Sequence, residues 1–454
     1  MFKKFTNGCV NLVQKYLPDP FIFATILTFF VFVSGMIFTK QGPLSMVVHW
    51  SNGLWSLLAF SMQMALVLVT GHTLANAPSF KRTLEKLASI PKTPARAIIM
   101  VTFVSLIACF INWGFGLVIG AIFAKELAKK VKGVDYRLLI ASAYSGFLIW
   151  HGGLSGSIPL TVATEGEALT KATAGVVTTA IKTSETIFSP MNLFIVITLI
   201  ITLPLINKAM HPSSKDTVTI DPNLLMGEDL EAAVLEVKTN TPADKLENSR
   251  LISIALFIMG FTYICYYFYT KGFNLTLDIV NTIFLFLSIL LHGTPRKLVK
   301  AIGDAVHGTS GIILQFPFYA GIMGMMVGAN SSGLSLAGVM SNGFVAISNQ
   351  TTFPLFSFLS AGLVNFFVPS GGGQWAVQAP IMMPAGVELG VPAAKTAMAI
   401  AWGDAWTNMI QPFWALPALG IAGLGAKDIM GYCLVDLIYS GFIISLGFLL
   451  FSLF

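Results

Sequence analysis

The run Val368-Pro369-Ser370-Gly371-Gly372-Gly373 lies in the middle of a strongly apolar region. Its flanks are long and apolar enough for membrane helices, but the run itself resists a helix. Proline removes a backbone donor, and consecutive glycines weaken any helix they enter. In hydrocarbon each unpaired N–H or C=O is costly, so irregular backbone survives there only if protein buries it or it lines a wet cavity. A Ser-Gly-Gly-Gly turn also leaves amides uncovered, which suits an anion. The stretch 361–375 therefore reads as the tip of a re-entrant hairpin lining a binding site. A short extramembrane loop between two helices is the alternative.

A weaker copy precedes it. Ala108, Asn112 and Gly116 sit in a stretch that resembles 361–369, and Asn365 lies 253 positions after Asn112. Ala143-Tyr144 matches Ala401-Trp402 and Pro159 matches Pro417, both 258 positions on, while Gly53 pairs with Gly308 at 255. A near-constant offset across separate segments reads as an internal duplication.

Of 454 residues, 55% are hydrophobic and only 11% are charged, against about 25% charged in soluble domains. The expected fold is an all-α polytopic membrane protein. Basic residues gather in short loops, where the positive-inside rule places them, so no nucleic-acid partner is expected. Cys9, Cys109, Cys265 and Cys433 are isolated. Neither a disulfide framework nor a CxxC metal site is visible, and no cofactor is expected. Lys3, Lys4 and Lys15 precede the apolar run 21–38, which reads as an uncleaved first span.

Charge placement orients the segments. Residues 98–124 are apolar and carry basic clusters on both flanks, from Lys81 to Arg96 and from Lys125 to Arg137. Such a segment returns to the side it left. With Asn112, Trp113, Gly114 and Gly116 at its middle, it reads as a first re-entrant hairpin; two full spans are the alternative. Residues 138–161 follow as a helix broken at Trp150-His151-Gly152-Gly153-Leu154-Ser155-Gly156-Ser157. Residues 163–189 read as an external loop or interfacial helix, and 207–250 as a hydrophilic cytoplasmic linker. The second hairpin covers about 353–390, and a second broken helix covers 395–419. Residues 49–76, 191–206, 251–269, 275–291, 301–328 and 429–454 supply further spanning segments.

The count is about nine spanning helices, two re-entrant hairpins and two broken helices. Equivalent spans run in opposite directions, so the repeats are inverted, as in many secondary transporters. Residues 1–170 form the first repeat and 271–425 the second. Residues 171–270 connect them with two spans and the linker, and 426–454 form a C-terminal span. The N-terminus is placed inside and the C-terminus outside.

Charged residues within spans are functional candidates. Asp404, beside Thr407, Asn408 and Gln411 in the second break, suits Na⁺ coordination or proton carriage; a structural acid is the alternative. His151 in the first break could protonate, donate to a substrate oxygen or cap a helix. Asp304, His307 and Gln315 suggest gating or packing. No Lys or Arg lies deep in either hairpin or broken helix. An anion must then be held by amides, hydroxyls and helix N-termini. Asn112, Trp113, Gly114, His151, Gly152, Gly153, Ser155, Ser157, Asn365, Ser370, Gly371, Gly372, Gly373 and Gln374 are the candidate substrate-binding residues. Without a fixed cation the site suits a small monoanion, balanced by co-transported Na⁺ or H⁺. Trp113, Trp150, Phe366, Phe367, Trp375, Trp402 and Trp406 could wall a short apolar tail or serve as packing anchors.

Together, Leu17-Pro18-Asp19-Pro20-Phe21, Ile111-Asn112-Trp113-Gly114, Trp150-His151-Gly152-Gly153, the 368–373 run and Trp402-Gly403-Asp404 resemble the bacterial short-chain fatty acid transporter family along nearly the whole chain. The resemblance implies uptake of acetoacetate, butyrate and similar acids across the inner membrane. More distantly the chain resembles the ion transporter superfamily of dicarboxylate and aminobenzoyl-glutamate carriers. Dicarboxylate carriers show Ser-Asn-Thr at both tips, whereas only Asn112 and Asn365 match here. The expected partners are a short-chain monocarboxylate and the bilayer, with a homodimer left open. A carrier for another small organic anion such as a dicarboxylate is the alternative. A membrane-embedded enzyme, with His151 as base to Ser155 or Ser157, is the rival class; no triad spacing supports it.

Overall fold

A computed structural model describes residues 2–16, 18–219, 241–272 and 276–452. Residues 220–240 of the expected linker lie outside the described residues, as do Leu17 of the opening motif and Leu275 at the start of one expected span. Among the described residues every regular element is a helix.

The first half contains α1 (Phe2–Tyr16), α2 (Pro20–Thr39), α3 (Pro43–Leu54), α4 (Leu58–Ala75), α5 (Pro78–Ala88), α6 (Pro94–Ile111), α7 (Trp113–Lys130), α8 (Tyr136–Tyr144) and α9 (Ser157–Val162). The connecting region contains α10 (Glu167–Ala172), α11 (Pro190–Ala209), α12 (Pro242–Glu247) and α13 (Arg250–Lys271). The second half contains α14 (Leu277–His292), α15 (Pro295–Val306), α16 (Ser310–Val327), α17 (Leu336–Ala346), α18 (Phe353–Asn365), α19 (Gly371–Glu388), α20 (Ala393–Thr407), α21 (Pro412–Ala422) and α22 (Ala426–Leu450). Among the described residues seven helical segments are long and apolar enough to cross a membrane.

Helix boundaries repeat between the halves. α3 and α4 recur 252 positions later as α15 and α16, and α7 recurs 258 positions later as α19. The repeated units exchange partners. α3 packs against α16 and α4 against α15; α2 lies along α16 and α14 along α4. The α4–α14 pair runs parallel, with Gln63 donating to Asp278 at 2.7 Å and the His292 ring 2.8 Å from the Thr73 carbonyl. The α2–α16 pair is also parallel: Phe21 meets Phe318 at one end, and Asn330, just past α16, bonds the Thr39 carbonyl at the other. At the α3–α16 crossing a Cβ on Gly53 would sit 2.8 Å from the Gly324 Cα, so only glycine permits this approach.

Three segments differ from the sequence reading. Residues 49–76 and 301–328 are not continuous helices, because α3 stops at Leu54 and α15 hands over to α16 through a 3₁₀ turn at His307–Thr309. Hydropathy has no signal for a bend whose backbone polar groups remain paired. The N-terminal residues before the first span form α1, with Thr6, Cys9 and Val10 buried. Val10 packs on Gly431 of α22.

Candidate functional site

α6 and α7 form an antiparallel hairpin. Asn112 ends one arm and caps the next, its side chain accepting from the Phe115 amide at 2.9 Å. A Cβ on Gly116 would strike Cys109, and one on Gly120 would strike Ser105, so small residues let the arms close. The second hairpin has a longer break. α18 ends at Asn365, residues 366–370 are non-helical, and Ser370 caps α19 by accepting from the Gly373 amide at 3.3 Å. The structural counterpart of Asn112 is therefore Ser370, not Asn365. The longer break at 366–370 accounts for the change of offset from 253 to 258 that pairwise matching mixed together.

Both broken helices are interrupted as expected. α8 runs into a 3₁₀ stretch at Ser145–Gly152 before α9, and α20 into a 3₁₀ turn at Asn408–Ile410 before α21. The first tip is tied to the first break: the Trp113 amide donates to the Ser155 hydroxyl at 3.0 Å, and the Leu154 amide to the Phe110 carbonyl at 2.7 Å. Gly153 lies against that same carbonyl, where a Cβ would clash. Gly114 is buried within α7.

His151 joins the two halves. It has no solvent exposure. Its Nδ1 is 2.9 Å from the Ala401 carbonyl and 3.4 Å from Asp404 Oδ1. A carbonyl only accepts, so Nδ1 carries the hydrogen in the neutral ring. Nε2 then accepts from the Ser157 hydroxyl, at 2.9 Å. The ring is stacked on Trp150 with centroids 3.6 Å apart. A Cβ on Gly371 would lie 2.7 Å from Nε2 and would collide with Ser157. Thus the start of α19 rests directly on the first break. Within α19, Ser370 receives the Gly373 amide and the Gln374 amide reaches the Ser370 carbonyl, which leaves Gly371 and Gly372 at the open end. Gly372 is exposed and faces open space.

The expected ion group is assembled differently. The Asn365 amide nitrogen donates to the Asp404 carbonyl at 2.8 Å, Thr407 Oγ1 at 3.0 Å and Asn408 Oδ1 at 2.8 Å. Thr407 also donates to the Gly362 carbonyl, at 2.9 Å, and Asn408 Nδ2 approaches Asp404 Oδ1 at 3.5 Å. Asn365 therefore sits with the Asp404 cluster rather than with the open tip. Two fully buried oxygens there, Asp404 Oδ2 and Asn365 Oδ1, take no hydrogen bond from the described residues. Unsatisfied buried acceptors are uncommon, and a cation or proton would satisfy them. Gln411 caps α21 through the Phe413 amide and donates to the Phe366 carbonyl, holding the second tip. Gln374 turns inward, donating to the Ala361 carbonyl at 2.6 Å and to Gln378 at 2.9 Å. Its place is a buried polar network inside the hairpin.

The aromatic candidates divide. Trp113 and Trp150 pack together with Phe147 and with Trp414, which the sequence reading did not single out. Phe366 and Phe367 pack outward on Phe23 and Phe30 of α2. Trp402 donates to Asn192 and Trp406 to the Leu437 carbonyl. Trp375 is buried among the α19–α20 side chains. Asn192 of α11 was also missed. It donates to the Gly152 carbonyl at 2.9 Å, and so stiffens the first break from outside the repeat. A lone amide in the apolar run 191–206 was its only signal.

A family model described as short chain fatty acid transporter matches residues 1–451. A protein of Escherichia coli (strain K12), provisionally named a short-chain fatty acid transporter, is 47% identical over 451 residues, covering 99% of this chain and 100% of that protein. A Haemophilus influenzae protein of the same provisional name is 47% identical over 453 residues, with the same coverage. The crystal structure of the Alcanivorax borkumensis YdaH transporter aligns with 96% of this chain and 98% of its own, at a TM-score of 0.43 and 15% identity.

Proposed function

The chain belongs to the short-chain fatty acid transporter family, and from that premise we propose that it takes up short-chain monocarboxylates across the bacterial inner membrane by cation-coupled alternating access. The observation that carries this reading is the position of His151. One ring nitrogen faces Ala401 and Asp404, and the other faces Ser157 and the start of α19 at Gly371. A cation held at Asp404 and a carboxylate held at the α19 start are then linked by one imidazole. The two charges together make a near-neutral pair, which lowers the cost of carrying either through the membrane.

The geometry supports these binding groups. The amides of Gly371 and Gly372 face the carboxylate, with the Ser157 hydroxyl beside them. Asp404 Oδ2 and Asn365 Oδ1 take the Na⁺ or proton. Trp113, Trp150 and Trp414 wall the apolar tail. The exchange of partners between repeated units is in keeping with inverted repeats, the architecture that alternating access uses in many secondary transporters. The N-terminus is inside and the C-terminus outside, and the carrier either acts alone or as a homodimer. Uptake of labelled butyrate into proteoliposomes under an imposed Na⁺ or H⁺ gradient tests the proposal. Saturable uptake driven by one gradient supports it, and uptake that never exceeds equilibration under either gradient overturns the coupling.

One arrangement favours a second reading. Ser157, His151 and Asp404 stand in the order of a nucleophile, a base and an orienting acid. Acyl transfer within the membrane would require turnover of a short-chain ester or thioester that Ser157→Ala abolishes.

A further inference from the structure

A polar stripe on α16 has no role in the site described so far. Tyr319 is fully buried, Gln315 is 6% exposed, and the Tyr319 hydroxyl and Gln315 Oε1 lack any hydrogen-bond partner among the described residues. A buried hydroxyl without a partner is destabilising, and native proteins keep few of them without a reason. The two residues are four apart and share one helix face.

That face leads to the proposed carboxylate site. A Cβ on Gly373 would lie 3.0 Å from the sulfur of Met323, so α16 touches the α19 start at Met323. Tyr319 is one turn before Met323 on the same face, about 6 Å along the helix axis. Gln315 is a further turn away. The Tyr319 ring packs edge-on against Phe413 of α21, with centroids 5.3 Å apart, and Phe413 meets Trp414 of the tryptophan group. The stripe thus borders the Phe413–Trp414 aromatic wall, one helical turn from the contact of α16 with the α19 start.

We propose that Tyr319 and Gln315 set a preference for acids bearing an oxygen substituent on the carbon chain over unsubstituted acids of equal length. This rests on the proposed monocarboxylate uptake. A hydroxy or oxo group on the chain satisfies the waiting hydroxyl of Tyr319, with Gln315 completing the polar wall. An unsubstituted chain leaves the hydroxyl unpaired, and a site built for a hydrogen bond discriminates against the analogue that lacks it.

The test uses the full chain in proteoliposomes, with KM measured separately for butyrate and 3-hydroxybutyrate. The wild type is expected to have the lower KM for 3-hydroxybutyrate. Tyr319→Phe is expected to shift the ratio of the two KM values toward butyrate by about tenfold, the effect of one neutral hydrogen bond. Gln315→Met is expected to shift it in the same direction by less, and it decides the matter if Tyr319→Phe does not insert. Equal KM values in the wild type, or variants that scale both KM values alike, would overturn the proposal. Uptake of neither acid by the wild type would instead overturn monocarboxylate uptake itself, and this preference with it.

Discussion

His151 Nδ1 and Asp404 Oδ1 are 3.4 Å apart although 253 positions separate them in the chain. Neither residue touches solvent. The imidazole hydrogen goes to the Ala401 carbonyl; Asn408 Nδ2 approaches Asp404 Oδ1, and Asp404 Oδ2 has no donor among the described residues. Around this pair the two breaks and the second hairpin tip meet.

Replacing Asp404 by Asn retains size and one oxygen but removes the charge. Gradient-driven accumulation of labelled butyrate is expected to fall to simple equilibration, while the protein still inserts. Counterflow of preloaded butyrate should survive, because other groups hold the anion. An unchanged accumulation ratio with unchanged ion dependence would leave Asp404 as a structural acid.

Gly371 and Gly372 are adjacent but predict opposite outcomes. A side chain at Gly371 collides with His151 and Ser157, whereas one at Gly372 meets nothing within 4 Å. Gly371→Val is expected to cost about 1–3 kcal/mol of stability through overpacking. It should lower the thermal unfolding midpoint in detergent and abolish uptake. Gly372→Val should leave that midpoint alone and still block uptake by filling the open space at the tip. Normal transport by the Gly372 variant would show that the space is not used.

The two side-chain N–H groups of Asn365 are shared among three acceptors. Asn365→Leu leaves Asn408 and Thr407 without that donor inside the protein. A loss of about 1–3 kcal/mol is expected, typical of an unsatisfied buried polar group. The apparent affinity for the coupling ion should weaken as well. Ion-dependence curves of uptake separate this from a purely structural effect, in which only protein yield would change.

Lys92 and Lys132 are both exposed, and they flank the α6–α7 hairpin. Cysteines introduced at either position, in a background where the exposed Cys265 is replaced by serine, should react with an impermeant reagent only from the cytoplasmic side. Labelling from opposite faces would remove the re-entrant assignment and the inverted repeat.

Much was determined by the sequence alone, for local reasons. Low charge content and long apolar runs impose a membrane protein, because lipid offers backbone groups no partners. A first break near 150–157, a second within 395–419 and a tip within 361–375 were legible because proline and glycine act on their own backbone, whereas the 3₁₀ winding from Ser145 was not. Asp404 was legible because a carboxylate in an apolar run is expensive wherever it packs. Tertiary structure alone decided the partners. Which side chain meets His151 depends on helix crossings between halves, and no local pattern records them. The same holds for Asn192 on the Gly152 carbonyl and for Trp414 in the aromatic group. Asn112 resembled Asn365 in sequence, yet folding paired its role with Ser370, because capping follows where a helix begins rather than which residue types match. Gln374 looked like a ligand beside a glycine run, but its helical phase turns it into the hairpin, where Ala361 and Gln378 take its amide.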